Sequence, residues 1–346
     1  MKCCFVSKFG DIDTVLGITT DWPRPTLDSE GGQMLLRVKA CSLNPLDCHM
    51  LNGKLVLPPS FPYIPGMGVC GVVEEISDTA KFQVGDRVIA STGIPPVGGL
   101  AEYMVVPIAS ADLAPVNVDA VRAAALPNSA MAAMVILRHA RVSVGERVMI
   151  LGGSGGVGTA LVQLVKSAGA GFVAATSTDD HLMKSLGVDQ VVDYRMTKWC
   201  ELSEFKKRPF DLVVDCVGWR DEWLEADRHG VLKPGWKGGR FLAIANSEEP
   251  KVQTACDGVR TIVPALWRTA WTSMCPWKPR YEFAAPKLRI STDDWPQLTK
   301  LVEDKRLKPV LDPASPFPFT AEGVKQAFAL QASKHAHGKV VIKISP

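Results

Sequence analysis

Apolar residues in the first third of the chain fall in short Val- and Ile-rich runs. These are "MLLRVKAC", "GVCGVVEEI", "DRVIAS" and "AEYMVVP", parted by Pro and Gly turns such as "VGDRV" and "PVGG". Short β-branched runs bounded by turn formers predict strands, and "MKCCFV" reads as the first of them. Residues 1–120 thus predict a β-rich, partly barrel-like domain. Near residue 120 the texture changes. "DAVRAAALPNSAMAAMVILRHA" is Ala-rich with Pro127 as a breaker, which predicts short helices. Strands and helices then alternate: "ERVMIL", "GTALVQLVKSAG", "GFVAAT", "DDHLMKSLG", "QVVDY", "FDLVVDCVG", "DEWLEADRHGVL" and "RFLAIA". Apolar strands alternating with helices mean a parallel sheet covered on both faces, a doubly wound α/β fold. Residues 286–346 return to mixed texture, with helices in "WPQLTKLVEDKRL" and "EGVKQAFALQA" and a last strand in "GKVVIKI". There is no internal repeat. The segment 261–283 carries three of the nine tryptophans. It reads either as a helix in the core or at a subunit interface, or as an apolar wall of a substrate pocket.

The strongest local pattern is "RVMILGGSGGVGTALVQLVKSAG". A strand enters and a helix leaves. Between them Gly153, Ser154, Gly155, Gly156, Val157 and Gly158 satisfy G-x-G-x-x-G. In such a loop Gly153 permits the tight turn, Gly155 lets the backbone approach a pyrophosphate, and Gly158 allows close helix–strand packing. The helix N-terminus adds free N–H groups and a positive dipole end. With strand before and helix after, the motif predicts a Rossmann dinucleotide site.

NAD-selective sites place Asp or Glu at the end of the second strand to hold the ribose diol. Here "GFVAATSTDDH" ends in Thr176, Ser177 and Thr178, hydroxyls that tolerate a 2′-phosphate, with His181 and Lys184 close by. Asp179 and Asp180 fall two or three residues late, as N-terminal acids of the next helix. NADPH is therefore expected ahead of NADH.

The totals remove several classes of function. The 346 residues suggest two domains at ~150 residues each. Net charge is +3, from 39 basic and 36 acidic residues, so no nucleic-acid partner is expected. The longest basic run, Lys206-Lys207-Arg208, reads as a solvated loop. Nine cysteines without a C-x-x-C point to free thiols in a reducing compartment. The N-terminus lacks a signal-peptide pattern, and no apolar run approaches the ~20 residues of a membrane span. A cytoplasmic protein is expected, with an organellar form carrying a removed targeting peptide left open.

One stretch, "LNPLDCHMLNG", sets metal-ligand types side by side: Asp47, Cys48 and His49, with Cys41 upstream. Together with "PYIPGMGVCGVV", "VGDRVIA", "GGLAEYMVVP", "AAALPNSAMAA", "DLVVDCVG", "LVEDKRLKPVLD" and "HGKVVIKI", it resembles the medium-chain dehydrogenase/reductase superfamily over nearly the full chain. The resemblance implies a GroES-like β-rich catalytic domain from 1–122 and 286–346, and a Rossmann domain from 123–285. Zinc-dependent members carry Cys where this chain has Asn44, and His-Glu where it has Met67-Gly68. Those three residues do not supply a catalytic zinc's ligands. The four-cysteine structural zinc lobe is missing as well. No metal is therefore expected.

"LNPLD" is similar to the zinc-free quinone oxidoreductase and enoyl reductase branch, whose Asn and Asp lie in the active-site cleft beside the nicotinamide. The likeness assigns those roles to Asn44 and Asp47. Cys41 and Cys48 read as buried small hydrophobes. A Tyr often stands at the position of His49 in quinone reductases, and the acid of mitochondrial enoyl reductases is a Tyr where this chain has Leu55. His49 is then the candidate proton donor, against a plain structural histidine, and Tyr63 is a weaker substitute. The family usually carries Thr where Ala132 stands. The resemblance also places Tyr194, Cys216, Val217, Gly218 and Ala243 beside the cofactor and Lys339 near its phosphates. His335 and His337 read as a solvated turn.

Without a Lewis acid, alcohol oxidation is hard, while a conjugated acceptor needs only donors for its developing oxyanion. The expected activity is hydride transfer from NADPH to a quinone or an α,β-unsaturated carbonyl, with Asn44 on the acceptor oxygen and Asp47 orienting the loop. The alternatives are an enone or enoyl-thioester reductase, and a non-catalytic NADPH-binding structural or regulatory protein. Family members commonly dimerise, so a homodimer is possible.

Overall fold

The computed structural model describes residues 1–28, 31–54, 60–77, 81–93, 95, 98–218, 221–244, 255–284 and 290–345; Leu55 lies outside them. The strands of the first segment are β1 (Cys3–Val6), β2 (Leu16–Thr19), β3 (Gln33–Ser42), β4 (Gly68–Ile76), β5 (Arg87–Ser91), β6 (Tyr103–Pro107) and β7 (Ala111–Leu113). The middle segment holds β8 (Arg147–Leu151), β9 (Phe172–Thr176), β10 (Gln190–Val192), β11 (Leu212–Asp215), β12 (Arg240–Ala243) and β13 (Arg280–Phe283). The last segment adds β14 (Phe317–Pro318) and β15 (Val341–Lys343).

The chain divides into two compact units, Met1–Met131 with Ile290–Pro346, and Ala132–Arg289. The break after Met131, rather than after 122, follows from the π-helical turn Leu126–Ala130, which packs on β4 and β5.

In the first unit the main sheet runs β14-β15-β3-β4-β5-β7, with β6 also pairing β3, and β1 and β2 form a separate hairpin. Register shifts at Leu35/Leu36 and Val38/Ala40 bend β3 against β4, as bulges do. The inward faces of these strands close on helices Pro45–Leu51 and Ala321–Ser333 through Leu36, Val38, Leu51 and Phe328. Cys41 and Cys48 are buried free thiols in this core.

In the second unit six parallel strands run β10-β9-β8-β11-β12-β13. Numbered from β8 this is the order 3-2-1-4-5-6, which reverses direction between β8 and β11 and opens a crevice at their carboxyl ends. The central strands are buried on both faces, which is why they read as unbroken apolar runs.

The helical stretch Ala120–Ala140 is long and apolar enough to meet the length and composition of a membrane span; it is mostly buried, as a core helix is. The aromatic segment mixes packed and exposed rings. Trp271 packs edge-on against Trp223 at 6.2 Å, while Trp267 and Trp277 are 66% and 64% exposed.

Candidate active site

Two sets of residues come together, one within each unit. In the first unit, β3 ends at Ser42 and the chain turns into the helix Pro45–Leu51. Asn44 is its N-cap, at φ −130° and ψ 160°, and Pro45 takes the first helical position, where its missing N–H costs nothing. Asp47, fully buried, reaches back: Oδ2 accepts the Asn44 N–H at 2.8 Å, and Oδ1 accepts the Gly66 N–H at 2.9 Å. One carboxylate thus fixes both the start of the helix and the "PG" turn.

Lys339 does not stand free for phosphates. Its side chain is 4% exposed, and its ammonium donates to the Leu43 carbonyl and to Asn44 Oδ1, the latter at 2.5 Å. That bond settles the orientation of the Asn44 amide. With Oδ1 on the ammonium, Nδ2 turns away, toward the Asp47 carboxylate and the Ser42 carbonyl, the latter at 3.5 Å. Burial pushes the Asp47 carboxyl up and the Lys339 ammonium down, and each opposes part of the other's shift. The two titrate as one unit.

His49 lies two residues past Asp47 on the same helix, and positions i and i+2 of a helix lie about 200° apart. Tyr63 is 5% exposed, and its hydroxyl is buried with no hydrogen-bond partner among the described residues. Burial raises its pKa, and Asp47, Cys4 and Cys48 raise it further. Its main chain is paired in both directions with Val6, which holds the ring in the core.

Sequence reasoning missed a neighbouring polar group. Among the described residues Ser42 Oγ and Asn128 Nδ2 are buried without partners, and Ser91 Oγ donates to Asn128 Oδ1 at 2.9 Å. They frame Gly68: a Cβ built there would overlap the Asn128 amide and come within 3.0 Å of Ser42 Oγ. The signal was the Asn in "LPNSA", which the eye passes over for the missing Thr.

In the second unit, the glycine loop joins β8 to the helix Gly156–Ser167. The turn residue is Gly152, at φ +78°, not Gly153. Gly153 is required for a different reason, because a Cβ there would lie 2.7 Å from Ala175 Cβ and 2.9 Å from Met183 Sδ. At Gly158 a Cβ would overlap the Gly152 carbonyl, so the helix can approach the strand only without it. Gly155 differs: a Cβ there would meet only the Gly152 carbonyl, at 3.5 Å. Among the described residues this space is open, as a pyrophosphate cradle at a helix N-terminus requires. Ser154 and Val157 complete the loop.

At the end of β9, Thr176 Oγ1 accepts the Gly152 N–H at 2.8 Å and its carbonyl accepts the Gly153 N–H at 2.9 Å. Ser177 Oγ accepts the Asp179 N–H at 2.9 Å. The Thr176 hydroxyl thus holds the glycine loop and the Ser177 hydroxyl its own turn, and both residues are 1% exposed. Of the residues expected at the ribose, Thr178 is half-buried and His181 exposed, with half-buried Tyr194 following the adjacent β10. Asp179 caps the next helix by accepting the Leu182 N–H at 2.8 Å.

Beyond β11, Asp215 Oδ1 accepts the N–H groups of Val217 and Gly218, each at 2.9 Å. Burial pushes Asp215 up to about 6. This residue, absent from the expected set, shapes the turn Cys216–Gly218 against the glycine loop, since a Cβ on Gly152 would lie 2.6 Å from Val217 Cγ2. Ala243 ends β12 directly opposite Asp215. Loop, ribose candidates, Cys216–Gly218 and Ala243 thus share the carboxyl edge of one sheet.

Family models match the alcohol dehydrogenase GroES-like domain over residues 30–117 and the zinc-binding dehydrogenase over residues 186–342. An NADPH-dependent alkenal/one oxidoreductase, chloroplastic, of Arabidopsis thaliana is 31% identical over 99% of this chain and 79% of its own length. The chain is a quinone-oxidoreductase-like member of the medium-chain dehydrogenase/reductase superfamily. Among solved structures, the quinone oxidoreductase of Coxiella burnetii superposes with a TM-score of 0.78 at 26% identity, covering 100% of this chain and 99% of that one. The quinone oxidoreductase of Thermus thermophilus, solved also with NADPH, gives 0.70 at 26% identity, covering 99% of this chain and 100% of that one. Chloroplastic and mitochondrial proteins are both among the relatives.

Proposed function

We propose that this chain is a zinc-independent, NADPH-dependent reductase of quinones or α,β-unsaturated carbonyls. The observation that carries the reading is Asn44: buried, capped into place by Asp47, and oriented by a buried ammonium so that its amide N–H groups turn away from Lys339. The names of the relatives, alkenal/one oxidoreductase and quinone oxidoreductase, support the same acceptor class.

The donor set does not fit zinc. Asn44 Oδ1 already faces a cation, Gly68 has no side chain, and the space beside it is taken by the Asn128 amide. The glycine loop does fit a dinucleotide, as the open space at Gly155 shows. Residues Gly153–Gly158, Thr178, His181, Tyr194 and Cys216–Gly218 would hold it. When bound, NADPH supplies the hydride.

The chain's own residues then do three things. Asn44 Nδ2 donates to the acceptor oxygen as negative charge grows there, and the Lys339 ammonium polarises that amide from behind. Asp47 keeps the amide in place, with both carboxylate oxygens given to backbone N–H groups, so it is not the acid. Water delivers the proton in this reading, because the Tyr63 hydroxyl is enclosed and His49 lies about 200° round the helix from Asp47. The partner in this reading is a small molecule, and the family resemblance supports a homodimer in the cytoplasm or an organelle.

The test is oxidation of NADPH and NADH with 9,10-phenanthrenequinone, 1,4-benzoquinone, a simple enone and an enoyl-CoA, with and without chelator. Quinone or enone turnover with NADPH, unchanged by chelator, is expected. NADPH binding without turnover of any acceptor, or activity lost on chelation while NADPH binding stays intact, would refute the reading.

A further inference from the structure

The second unit holds a cluster that the cofactor site does not use. Cys200 lies on the turn Trp199–Glu201, 2% exposed. Glu225 and His229 stand one helical turn apart at the end of the helix Glu222–Arg228, and so share a face. One ligand atom from each of the three residues lies within 4.8 Å of the other two. His229 Nε2 and Glu225 Oε2 are 3.5 Å apart, at the outer limit of a hydrogen bond. Yet ligands bonded at roughly 2.0–2.3 Å in a tetrahedral site sit about 3.3–3.8 Å from one another. Glu222, one turn back on the same helix, contributes further negative charge beside Cys200. Arg228 takes the other oxygen of Glu225, and Trp199 Nε1 holds Glu222 Oε2 at 2.6 Å, so both carboxylates are aimed.

We propose that Cys200, Glu225 and His229 form a binding site for one divalent transition-metal ion, zinc foremost, with Glu222 or water in the fourth position. A thiolate and an imidazole select zinc over calcium or magnesium. On binding, the Cys200 thiol gives its proton to solvent as the metal–sulfur bond forms. The role is structural. The ion ties the connection after β10 to the helix after β11. Residue 231, just past His229, hydrogen-bonds to Phe210 at the entry of β11, which puts the site at the opposite edge of the sheet from the glycine loop.

Cobalt titration of the chelator-treated full chain tests it. One equivalent of Co2+ is expected to give the visible bands of a tetrahedral ion and a thiolate-to-cobalt band in the near ultraviolet. Cys200→Ser should abolish the near-ultraviolet band, whereas Cys275→Ser, at a half-buried thiol elsewhere, should keep it. His229→Gln, at a partly exposed site that spares the core, should weaken cobalt binding by at least the ~10–100-fold seen when an outer partner of a ligand is removed. No band at one equivalent, a band that survives Cys200→Ser, or unchanged affinity in His229→Gln would overturn the proposal.

Discussion

The two candidate sites are built from different materials. The cofactor site at the edge of the parallel sheet is mostly backbone: N–H groups of a glycine loop and a strand end, with side chains such as Thr176 and Asp215 turned inward to hold main chain. The acceptor site around Asn44 is mostly side chain, and its central bond joins residues 295 positions apart. A site of the first kind is robust to side-chain change but intolerant of a single Cβ. One of the second kind tolerates backbone drift but fails when one functional group is lost.

The sharpest way to break that contrast is at the glycines. Gly158→Val should abolish the loop, because its Cβ overlaps the Gly152 carbonyl. With two or more charge-assisted hydrogen bonds lost at roughly 1.5–3 kcal/mol each, NADPH affinity should fall ~100-fold or more, read as lost fluorescence enhancement. Gly155→Ala should leave unfolding stability within about 1 kcal/mol, because its φ of −71° is ordinary and the space is open, yet still weaken NADPH. If both variants weaken stability equally, the open cradle is not for a ligand.

Lys339→Met should separate the sites. With the Asn44 amide free to rotate, kcat/KM for the acceptor should drop about 10–100-fold, while the NADPH dissociation constant stays within about twofold. A parallel loss of NADPH affinity would instead restore Lys339 to the phosphates.

Asp215 offers a smaller, pH-dependent effect. Its carboxyl is held up to about 6 in the folded chain, above the usual carboxylate range. Between about pH 4 and 6 the folded state therefore binds more protons than the unfolded, and stability falls as pH rises through that window. Asp215→Asn should remove on the order of 2 kcal/mol of that slope in denaturant titrations run from pH 4 to 7. An unchanged slope would mean the carboxyl is not held high. Smallest of all, His49→Ala should leave kcat within about twofold, because its side chain faces away from Asp47. A loss of 100-fold would reinstate it as the donor.

Legibility followed the same division. Strand–helix alternation and G-x-G-x-x-G are periodic or contiguous signals, so the doubly wound sheet and its loop could be read directly. The functions of single residues in that loop could not. Gly152 carries the positive φ expected of Gly153, and Thr176 spends its hydroxyl on the loop, because only packing decides which glycine turns and which hydroxyl faces out. Asn44 and Asp47 were visible through "LNPLD". Lys339 was visible as a residue but not in its place, since no local pattern ties position 339 to 44. Antiparallel pairing of β15 with β3 brings it there.

The most direct measurement is acceptor kinetics of Asn44→Ala beside the parent chain, both treated with chelator. The account predicts full turnover in the parent, a fall of roughly 100-fold in kcat/KM for the acceptor in the variant, and the same NADPH dissociation constant in both. Equal turnover in the two proteins, or a parent silenced by chelator while it still binds NADPH, would contradict it.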